Sequence, residues 1–490
     1  MPLLFDTIDD AVHGSPPTAV APLKWSPINH VLSRFAFGPS VASRGSVDHA
    51  GVQAWYTAQV ALAKSRPGYA AGPSGIRSAA PYLKLSIPDL TVTMINKGQQ
   101  YGWDAMDQLG GATIALQIWS PAQLYETLVD FFSNHLNVPN HNGDVWNSRV
   151  AYDRDVIRAH ATGSFTDMLL ASGRHPAMLR FLNLADSTAA AINENYGREL
   201  LELHTVGLNY TEADVRNVAK MLTGRIVGPD EQYFYDQIIH PTGKVTVLGF
   251  THPNKSRLDG DAGGDQLLTY LAQHPFTATH LATKLCIRFV SDTPSSALIA
   301  AVAQAYLDNG TQILPMIETI LRSQEFWQSR GAKIRRPSEN LVATVRILGS
   351  QVSSWPNALN TLSWMTESLG DRPLDWQAPN GYPDVAAAWR NAGSMLQCWY
   401  LQLGFASGWP DGFAPLDNTT LYGGTPATSG AAIDALTKRL TGMTFSTSHR
   451  SALQGFLAEP STTPLANSVL QWNLEPLVAL ILHGPHHALR

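Results

Sequence analysis

Apolar residues recur at intervals of three and four in one segment after another of this sequence, which is the spacing of one face of an α-helix. The clearest such segments are PAQLYETLVDFFSNHL, FTDMLLASGRHPAMLRFL, YGRELLELHTVGL, EADVRNVAKMLTG, ALIAAVAQAYLDNG and ILPMIETILRSQEFW. Thr211 and Asp214 form a capping-box pattern before the apolar run at 215–222, and Gly224 follows that run. The pattern predicts a mainly α-helical fold built as a large multi-helix body.

Strand-like sequence is confined to one part of the chain. The segments YFYDQIIH and KVTVLGF predict a small β-hairpin insertion at 233–250, with Pro241, Thr242 and Gly243 as its turn. The acidic, Gly-rich sequence DGDAGGD that follows predicts a loop, so the insertion extends over 233–264. Residues 405–430 are rich in Gly, Pro and Thr and are interpreted as a mobile loop or lid. The whole chain, 1–490, is predicted to be a single large helical domain.

The composition excludes several classes of protein. Of the 490 residues, 44% are hydrophobic and only 15% are charged, which is the opposite of a disordered chain. The net charge of -5 argues against a broadly basic surface for nucleic acid. No apolar stretch is long enough to span a membrane. We therefore expect neither nucleic acid nor a membrane as a partner.

The cysteines and the N-terminus bear on the compartment. Cys286 and Cys398 lie in apolar runs and are too few for a disulfide framework or an all-cysteine zinc site, so they are predicted to be buried free thiols. The N-terminal sequence MPLLFDTIDDAVHG lacks the basic region of a secretory signal peptide. The chain as given is predicted to be cytoplasmic, or exported if a leader was removed.

The sequence NENYGRELLE carries three carboxylates within nine residues. On a helix, Asn195, Glu199 and Glu202 lie on one face, at spacings of four and three. Arg198 is predicted to pair with Glu194 or Glu202 across one turn. Partial burial raises the pKa of one carboxyl group while a neighbouring arginine lowers that of another, and this separates a general acid from a general base. The structural alternative is an Arg–Glu network that locks helices together.

A second polar group, Glu126, Asp130 and His135, also follows helical spacing. Carboxylates and histidine on one helix can bind a divalent metal, but the Glu-x-x-His element of di-iron bundles and the His-Glu-x-x-His motif are both missing. No cofactor is predicted, and a divalent metal is kept as a secondary possibility. Alternatively, Asn134 and His135 donate hydrogen bonds to a substrate or orient a catalytic carboxylate. A buried histidine satisfied by the fold is the structural alternative.

Further residues extend the candidate site. Lys284 and Arg288 share a helix face and are suited to holding an anion, although a surface pair is the commoner outcome. Four tryptophans in polar or Gly- and Pro-rich settings are either stacking platforms for sugars or loop anchors: Trp103, Trp146, Trp376 and Trp409. The predicted substrate-binding residues are Asn193, Asn195, Asn134, Asp130, His160, Trp146 and Trp376.

The segment NENYGRELLELHTVGLNYTEADVRNVAKMLTGR, residues 193–225, resembles the signature of the bacterial family called domain of unknown function 1800. Blocks in the same order agree with it: LSRFAFGPS, SPAQLYETLVDFFSNHLNV, IRAHATGSFTDMLLASGRHPAML, HPTGKVTVLGF, HPFTATHLATKLCIRFVSD and APNGYPDVAAAW. The chain has FFSNH where members commonly have FWHNH, and GR where they often end in GW. The resemblance implies a mainly helical fold, a co-encoded sulfatase-like partner and no agreed activity. Many members also carry export signals.

Together these observations predict a carboxylate-dependent hydrolase, acting on a glycan or another polar polymer. The general acid and base are expected among Glu194, Glu199 and Glu202, assisted by His135 and Arg198. One alternative is a non-catalytic scaffold or maturation partner of a co-encoded sulfatase-like protein. A second alternative is a carboxylate/His metalloenzyme.

Overall fold

The computed structural model describes residues 26–490, which form twenty-five α-helices and two small antiparallel sheets. Helix makes up 63% of the structure, which confirms the mainly α-helical fold with a small β insertion. The first eleven helices are α1 (Pro27–Arg34), α2 (Val41–Lys64), α3 (Ser74–Ala79), α4 (Ile87–Asn96), α5 (Trp103–Trp119), α6 (Gln123–His135), α7 (Arg149–Tyr152), α8 (Phe165–Ser172), α9 (Pro176–Phe181), α10 (Asn195–Glu199) and α11 (Glu212–Leu222).

The other fourteen helices follow the β insertion. They are α12 (Gly260–Ala272), α13 (Pro275–Phe289), α14 (Ser296–Asp308), α15 (Ile313–Arg322), α16 (Gln324–Gln328), α17 (Pro337–Leu348), α18 (Trp355–Ser368), α19 (Ala386–Trp389), α20 (Ala392–Ala406), α21 (Asn418–Tyr422), α22 (Ser429–Thr441), α23 (Thr447–Leu457), α24 (Leu470–His483) and α25 (Pro485–Ala488). Two π turns continue short helices: Asp153–Arg158 follows α7, and Leu200–His204 follows α10.

The start of α11 has the capping box that the sequence predicts. The Thr211 side chain accepts a hydrogen bond from the backbone N–H of Asp214, and the Asp214 carboxylate accepts one from the backbone N–H of Thr211. Two of the otherwise unpaired N–H groups at this helix end are therefore satisfied by local side chains, which is why the sequence signal was sufficient.

The β insertion differs from the prediction in its pairing. β1 (Arg225–Val227) pairs with β2 (Tyr233–Tyr235), and β3 (Val245–Val247) pairs with β4 (Phe250–His252). The single hairpin predicted over 233–250 is therefore wrong, because each of its two predicted strands pairs with a nearer neighbour.

His240 explains why the two predicted strands do not pair with each other. Its buried ring lies within hydrogen-bond distance of the Thr223 backbone oxygen at 2.6 Å and of Asn254 Oδ1 at 2.9 Å. These contacts hold the connection between β2 and β3 against the end of α11 and the loop after β4. Each strand is left to close a tight turn with its sequence neighbour.

The acidic, Gly-rich sequence predicted as a loop forms the first turns of α12 instead. Asp261 and Asp265 lie one turn apart, and both pair with Arg174 and with the buried Arg225. Gly264 leaves room for the Arg225 guanidinium, because a Cβ at this position would lie 2.6 Å from its Nη2. These ion pairs offset the low helix propensity of the glycines. The sequence predicts a loop here because it reveals the glycines but not their distant arginine partners.

Helix α6 lies in the interior of the molecule, with 12 of its 13 residues buried. The hydrophobic core is one connected cluster that runs from Val31 in α1 to Leu482 in α24. The C-terminus returns to this core, since Arg490 and Lys333 exchange backbone hydrogen bonds at 3.2 and 2.8 Å. Polar residues of α6 are consequently buried as well, and each of them needs a partner from another part of the chain.

Residues 405–430 contain the end of α20, an irregular stretch, α21 and the first two residues of α22. The irregular stretch is anchored where Phe413 is buried and where Gly412 meets α18: a Cβ on Gly412 would lie 2.2 Å from the backbone nitrogen of Ala358. A mobile loop or lid over 405–430 stays a prediction.

Three smaller observations complete the fold. No helix within residues 26–490 is both long enough and apolar enough to cross a membrane. Both cysteines are free thiols, Cys286 buried and Cys398 half-buried. The N-terminal sequence on which the localisation prediction rests lies outside the described residues.

Candidate functional site

Polar side chains gather around a cavity of about 320 Å³, which we call the central cavity. It lies between α6, α13, the residue before α17 and the irregular segment 376–385. Its lining residues are Asp130, Phe131, Asn134, His135, Lys284, Ile287, Arg288, Arg336, Trp376, Asn380, Gly381, Tyr382, Pro383, Asp384 and Val385. The volume suits a small molecule rather than a polymer.

One wall of the central cavity is the C-terminal part of α6. Asp130 and Asn134 lie one turn apart on the same helix face, and His135 is the last residue of the helix. The Arg336 guanidinium donates to both Asp130 carboxylate oxygens, at 3.1 and 3.0 Å. Asn134 Nδ2 donates to the Asp130 backbone oxygen at 3.0 Å. The Asp130 carboxylate is therefore already satisfied by the protein.

The opposite wall is the segment 376–385, which is tied to the end of α6 by two asparagines. Asn137 Nδ2 donates to the backbone oxygens of Trp376 and Ala378, at 2.8 and 2.7 Å. Asn134 Oδ1 accepts the backbone N–H of Tyr382 at 3.1 Å. These hydrogen bonds hold the aromatic rings of the segment over the cavity.

Helix α13 supplies Lys284 and Arg288, which share a face one turn apart as the spacing predicts. They are not a surface pair, however. Arg288 is buried and pairs with Glu339, and its nitrogens lie 3.5 Å from both Asp130 and Asp384.

Arg288 belongs to a buried network of ion pairs that surrounds the cavity. The network joins four cations to five carboxylates: Arg288, Lys333, Arg336 and Arg490 with Asp130, Asp292, Glu339, Asp371 and Asp384. Its members lie on elements that are far apart in sequence, from α6 to the C-terminal residue. We call this set the ion network.

Burial raises the pKa of the carboxyl groups in the ion network, and neighbouring positive charges lower it. Burial alone would raise the pKa of Glu339, but Arg288 and Arg490 hold it well below its usual range. At Asp371 the charge of Arg336 and the hydrogen bonds from Ser338 do not offset burial, which raises the pKa to about 6. Ser338 donates to Asp371 from its hydroxyl at 2.6 Å and from its backbone N–H at 3.0 Å.

Lys284 stands apart from this network. Within residues 26–490 its ammonium has no carboxylate partner and no hydrogen-bond acceptor, although it lines the same cavity as Asp130 and Asp384. Burial lowers the pKa of Lys284 to about 8. A desolvated amine without a counter-charge loses its proton more readily than a lysine in water.

Three histidines lie beside Lys284, and all three are neutral at pH 7. His135 Nε2 donates to the backbone oxygen of His204 at 3.1 Å, and His280 Nε2 donates to the backbone oxygen of Leu203 at 3.1 Å. These hydrogen bonds assign the proton of both rings to Nε2. Burial and the charge of Lys284 lower the pKa of His204 to about 3 and of His280 to about 4, and that of His135 well below its usual range.

The structure brings four of the predicted site residues to the central cavity: Asp130, Asn134, His135 and Trp376. The predicted catalytic carboxylates are not among its lining residues. All three are half-buried: Glu194 directly precedes α10, Glu199 is its last residue and Glu202 lies on the π turn that follows it.

The predicted partner of Arg198 is wrong. Arg198 donates two hydrogen bonds to Glu212, each at 2.8 Å, and pairs with neither Glu194 nor Glu202. The reason is tertiary: α11 packs beside α10, and Glu212 in its first turn presents both carboxylate oxygens to the guanidinium, which is the geometry that arginine favours.

Glu199 and Glu202 have different surroundings. Glu202 accepts a hydrogen bond from the Tyr210 hydroxyl at 2.5 Å. Burial, together with the charge of Glu202, raises the pKa of Glu199. Asn193 Oδ1 accepts the backbone N–H of Asn195 at 2.9 Å, and the Asn195 amide donates to the Leu182 backbone oxygen at 3.3 Å, so both asparagines order the start of α10.

The remaining predicted residues lie away from the cavity lining. His160 is half-buried near Arg66, and burial lowers its pKa. Trp146 covers Gly102, where a Cβ would lie 2.3 Å from the indole ring, so it is a loop anchor.

The Glu126 carboxylate takes part in a buried ion pair that stabilises the fold. Its carboxylate accepts two hydrogen bonds from the buried Arg158, at 3.2 and 3.0 Å, and Arg158 also pairs with Asp153. Asp130 is likewise held by Arg336. Among the residues that the structure describes, no three His, Cys, Asp or Glu side chains are placed to hold one metal ion.

Five functional candidates at the cavity were missed at the sequence level: Arg336, Asn380, Tyr382, Pro383 and Asp384. Four of them lie in the block APNGYPDVAAAW, from which the sequence predicts only the family resemblance. The spacing of Lys284 and Arg288 predicts only an anion-binding pair. A lysine inside the apolar run LATKLCIRFV was the available signal that it is not an ordinary surface residue.

The fold and the cavity define a large α-helical protein with an internal site of ligand size. The sequence matches the family described as protein of unknown function (DUF1800) over residues 30–489, and the chain belongs to that family. Comparisons with curated proteins and with solved structures give no match.

The buried histidines predict sensitivity to acid. His204 has a folded-state pKa of about 3, whereas in the unfolded chain its pKa is about 6.5. The unfolded state therefore takes up the proton first, and the free energy of unfolding falls as the pH drops below about 6.5, by about 1.4 kcal/mol per pH unit for this group. His204→Leu should reduce that slope between pH 6 and pH 4, as measured by urea unfolding.

The control is His49→Leu, since the His49 side chain is exposed. It should leave the pH dependence unchanged. An identical slope in wild type and His204→Leu would contradict a neutral, buried His204.

Gly381 predicts how strongly the segment 376–385 depends on close packing. It has φ +69°, and a Cβ there would lie 2.2 Å from the backbone oxygen of Asn134. Gly381→Ala should lower the free energy of unfolding by about 2 kcal/mol or more, because it adds a clash with α6 to the cost of a positive φ.

Gly370→Ala is the matched control, with φ +68° and no atom near the added Cβ. It should cost only about 1 kcal/mol. Equal losses in chemical denaturation would show that the close approach to Asn134 does not matter.

Proposed function

We propose that this chain is an enzyme that acts on a small, partly apolar molecule bound in the central cavity. The observation that carries the proposal is Lys284, a cavity-lining amine without a protein partner among the described residues. The other cavity cations, Arg288 and Arg336, are paired with carboxylates. A polar group that the fold leaves unpaired in a concave site is available for a ligand.

The walls of the cavity support a ligand with an apolar body. Phe131, Trp376 and Tyr382 present aromatic rings, and Ile287 and Val385 add aliphatic surface. Aromatic walls with a few oriented polar groups are typical of small-molecule sites.

The polar groups of the cavity differ in their availability. Asn380 Oδ1 accepts the Trp376 indole N–H at 2.7 Å, and within residues 26–490 its Nδ2 has no protein partner. By contrast, the Tyr382 hydroxyl donates to the Arg372 backbone oxygen at 2.9 Å. We therefore assign ligand contacts to Lys284 and Asn380.

Filling the cavity tests this proposal. Val385 lines the central cavity, and Val385→Trp should abolish binding of benzyl alcohol, benzamide and benzoate, which the wild type is expected to bind. Binding is measured as a rise in Tm with ligand concentration and by saturation-transfer NMR.

Ile238→Trp, at a side chain that is 70% exposed, is the control and should bind the probes like the wild type. The proposal fails if no probe binds the wild type, or if Val385→Trp binds them as well as Ile238→Trp does.

Hydrolysis of a glycan or another polar polymer by the carboxylate cluster is the second candidate. It is supported by the raised pKa of Glu199 beside Glu202, since one protonated and one ionised carboxyl group are what a general acid and base require. Arg198 is bound to Glu212 rather than to either glutamate, and its charge only partly offsets the raised pKa of Glu199. The scaffold or maturation partner of a sulfatase-like protein stays a prediction.

The second candidate is tested with 4-nitrophenyl glycosides and soluble polysaccharides. Glu199→Gln should lower kcat by about 100-fold or more on any substrate that the wild type turns over, because it removes a general acid. Activity of the wild type should fall as the pH rises through the raised pKa of Glu199. Glu318→Gln, at a half-exposed glutamate of α15, is the control. Equal kcat values for the two variants would contradict hydrolysis by the carboxylate cluster.

A further inference from the structure

Lys284 differs from every other charged residue that lines the central cavity. Asp130, Arg288, Arg336 and Asp384 all take part in the ion network. The Lys284 ammonium has neither an ion-pair partner nor a hydrogen-bond acceptor within residues 26–490. The fold therefore gives this amine no structural task that the contacts reveal.

We infer that Lys284 is a nucleophile that forms an imine with a small aldehyde or ketone in the central cavity. The inference rests on the proposed function, because it needs a ligand bound at this site. Lys284 is the only primary amine among the cavity-lining residues, and none of them is a cysteine, serine or threonine. An imine needs a primary amine, so imine formation at this cavity falls to Lys284.

The surroundings of Lys284 favour the neutral, nucleophilic amine. His135, His204 and His280 contribute no negative charge, and burial lowers the pKa of the Lys284 amine. The two carboxylates of the lining are held by other cations, Asp130 by Arg336 and Arg288 and Asp384 by Arg490 and Lys333. With a pKa of about 8, about one tenth of the amine is neutral at pH 7, compared with less than about one thousandth for a lysine in water.

The reaction balances without an added reactant. The Nζ lone pair attacks the carbonyl carbon and the C=O π electrons move to oxygen, which takes a proton as the nitrogen loses one. The carbinolamine hydroxyl then takes up a second proton and leaves as water while the nitrogen lone pair forms the C=N bond, and the iminium nitrogen releases its remaining proton. One carbonyl compound and one amine give one imine and one water, with no change of oxidation state.

The lining also selects the class of carbonyl compound. Aromatic and aliphatic walls favour an uncharged body, and Asn380 Nδ2 is free to donate to a second polar group. The Arg288 and Arg336 charges are neutralised by carboxylates, so they offer little to a strongly anionic substrate. We therefore expect an aromatic or branched aldehyde or ketone.

Reductive trapping tests the inference. The full-length protein is incubated with benzaldehyde and sodium cyanoborohydride, and peptide mass spectrometry locates the benzyl groups. At pH 7 Lys284 should be labelled roughly ten- to a hundredfold faster than the exposed Lys255. The labelling rate of Lys284 should rise from pH 6 to pH 8 and then level off.

Two variants and one competitor separate the possible results. Lys284→Arg keeps the positive charge and should lose this label, whereas Lys255→Arg should leave the labelling of Lys284 unchanged. Benzyl alcohol has the same ring without a carbonyl and should slow the labelling. The wild-type comparison of Lys284 with Lys255 holds even if Lys284→Arg does not fold.

The failures can be told apart. If benzyl alcohol binds but Lys284 is labelled no faster than Lys255, the imine is wrong and the small-molecule site stands. If neither probe occupies the cavity, the proposed function fails together with the imine. If benzoate binds through Lys284 and benzaldehyde is not trapped, Lys284 is an anion anchor and the imine is again wrong.

Discussion

The ion network is the interaction on which the rest of this structure depends. Its charges come from α6, α13, the start of α17, the segment that precedes α19 and the C-terminal residue, so most of its ion pairs join distant parts of the chain. Buried charges are costly unless all of them are paired, and removing one partner of such a pair costs roughly 3–5 kcal/mol. The network therefore allows only the arrangement of these elements in which all its charges meet. That arrangement also defines the walls of the central cavity.

The same network determines which cavity groups can do chemistry. Asp130 and Asp384 line the cavity, but their charges are shared among arginines and Lys333, so neither is a free base. Lys284 lies one turn before Arg288 on the same helix and is outside the network. Its amine is desolvated by the same walls without receiving a counter-charge. Lys284 is thus the one charged residue of the cavity lining that lies outside the ion network.

Features of local origin could be predicted from the sequence, and features that need a distant partner could not. The helices and the Thr211 capping box follow from spacing within one turn. The pairing of β2 with β1 depends on the contacts of His240 with Thr223 and Asn254, which no local pattern contains. Arg198 had two local acids available and pairs instead with Glu212 on the neighbouring helix. Likewise, helical spacing groups Asp130, Asn134 and His135 on α6. The segment 376–385, which forms the opposite wall of the cavity, lies more than two hundred residues away in the sequence.

The most distinctive sequence block contributes to the central cavity through its backbone rather than through its carboxylates. The π turn Leu200–His204 interrupts the regular helical pairing, and the backbone oxygens of Leu203 and His204 accept hydrogen bonds from His280 and His135. Turns of this kind often occur at functional sites because they free backbone groups for other partners. Here they fix two imidazoles as neutral rings beside Lys284. The glutamates of the block, by contrast, do not line the cavity. The role of the block NENYGRELLELH is therefore explained at least as well by the backbone acceptors it gives to the histidines beside Lys284 as by acid–base chemistry of its own carboxylates.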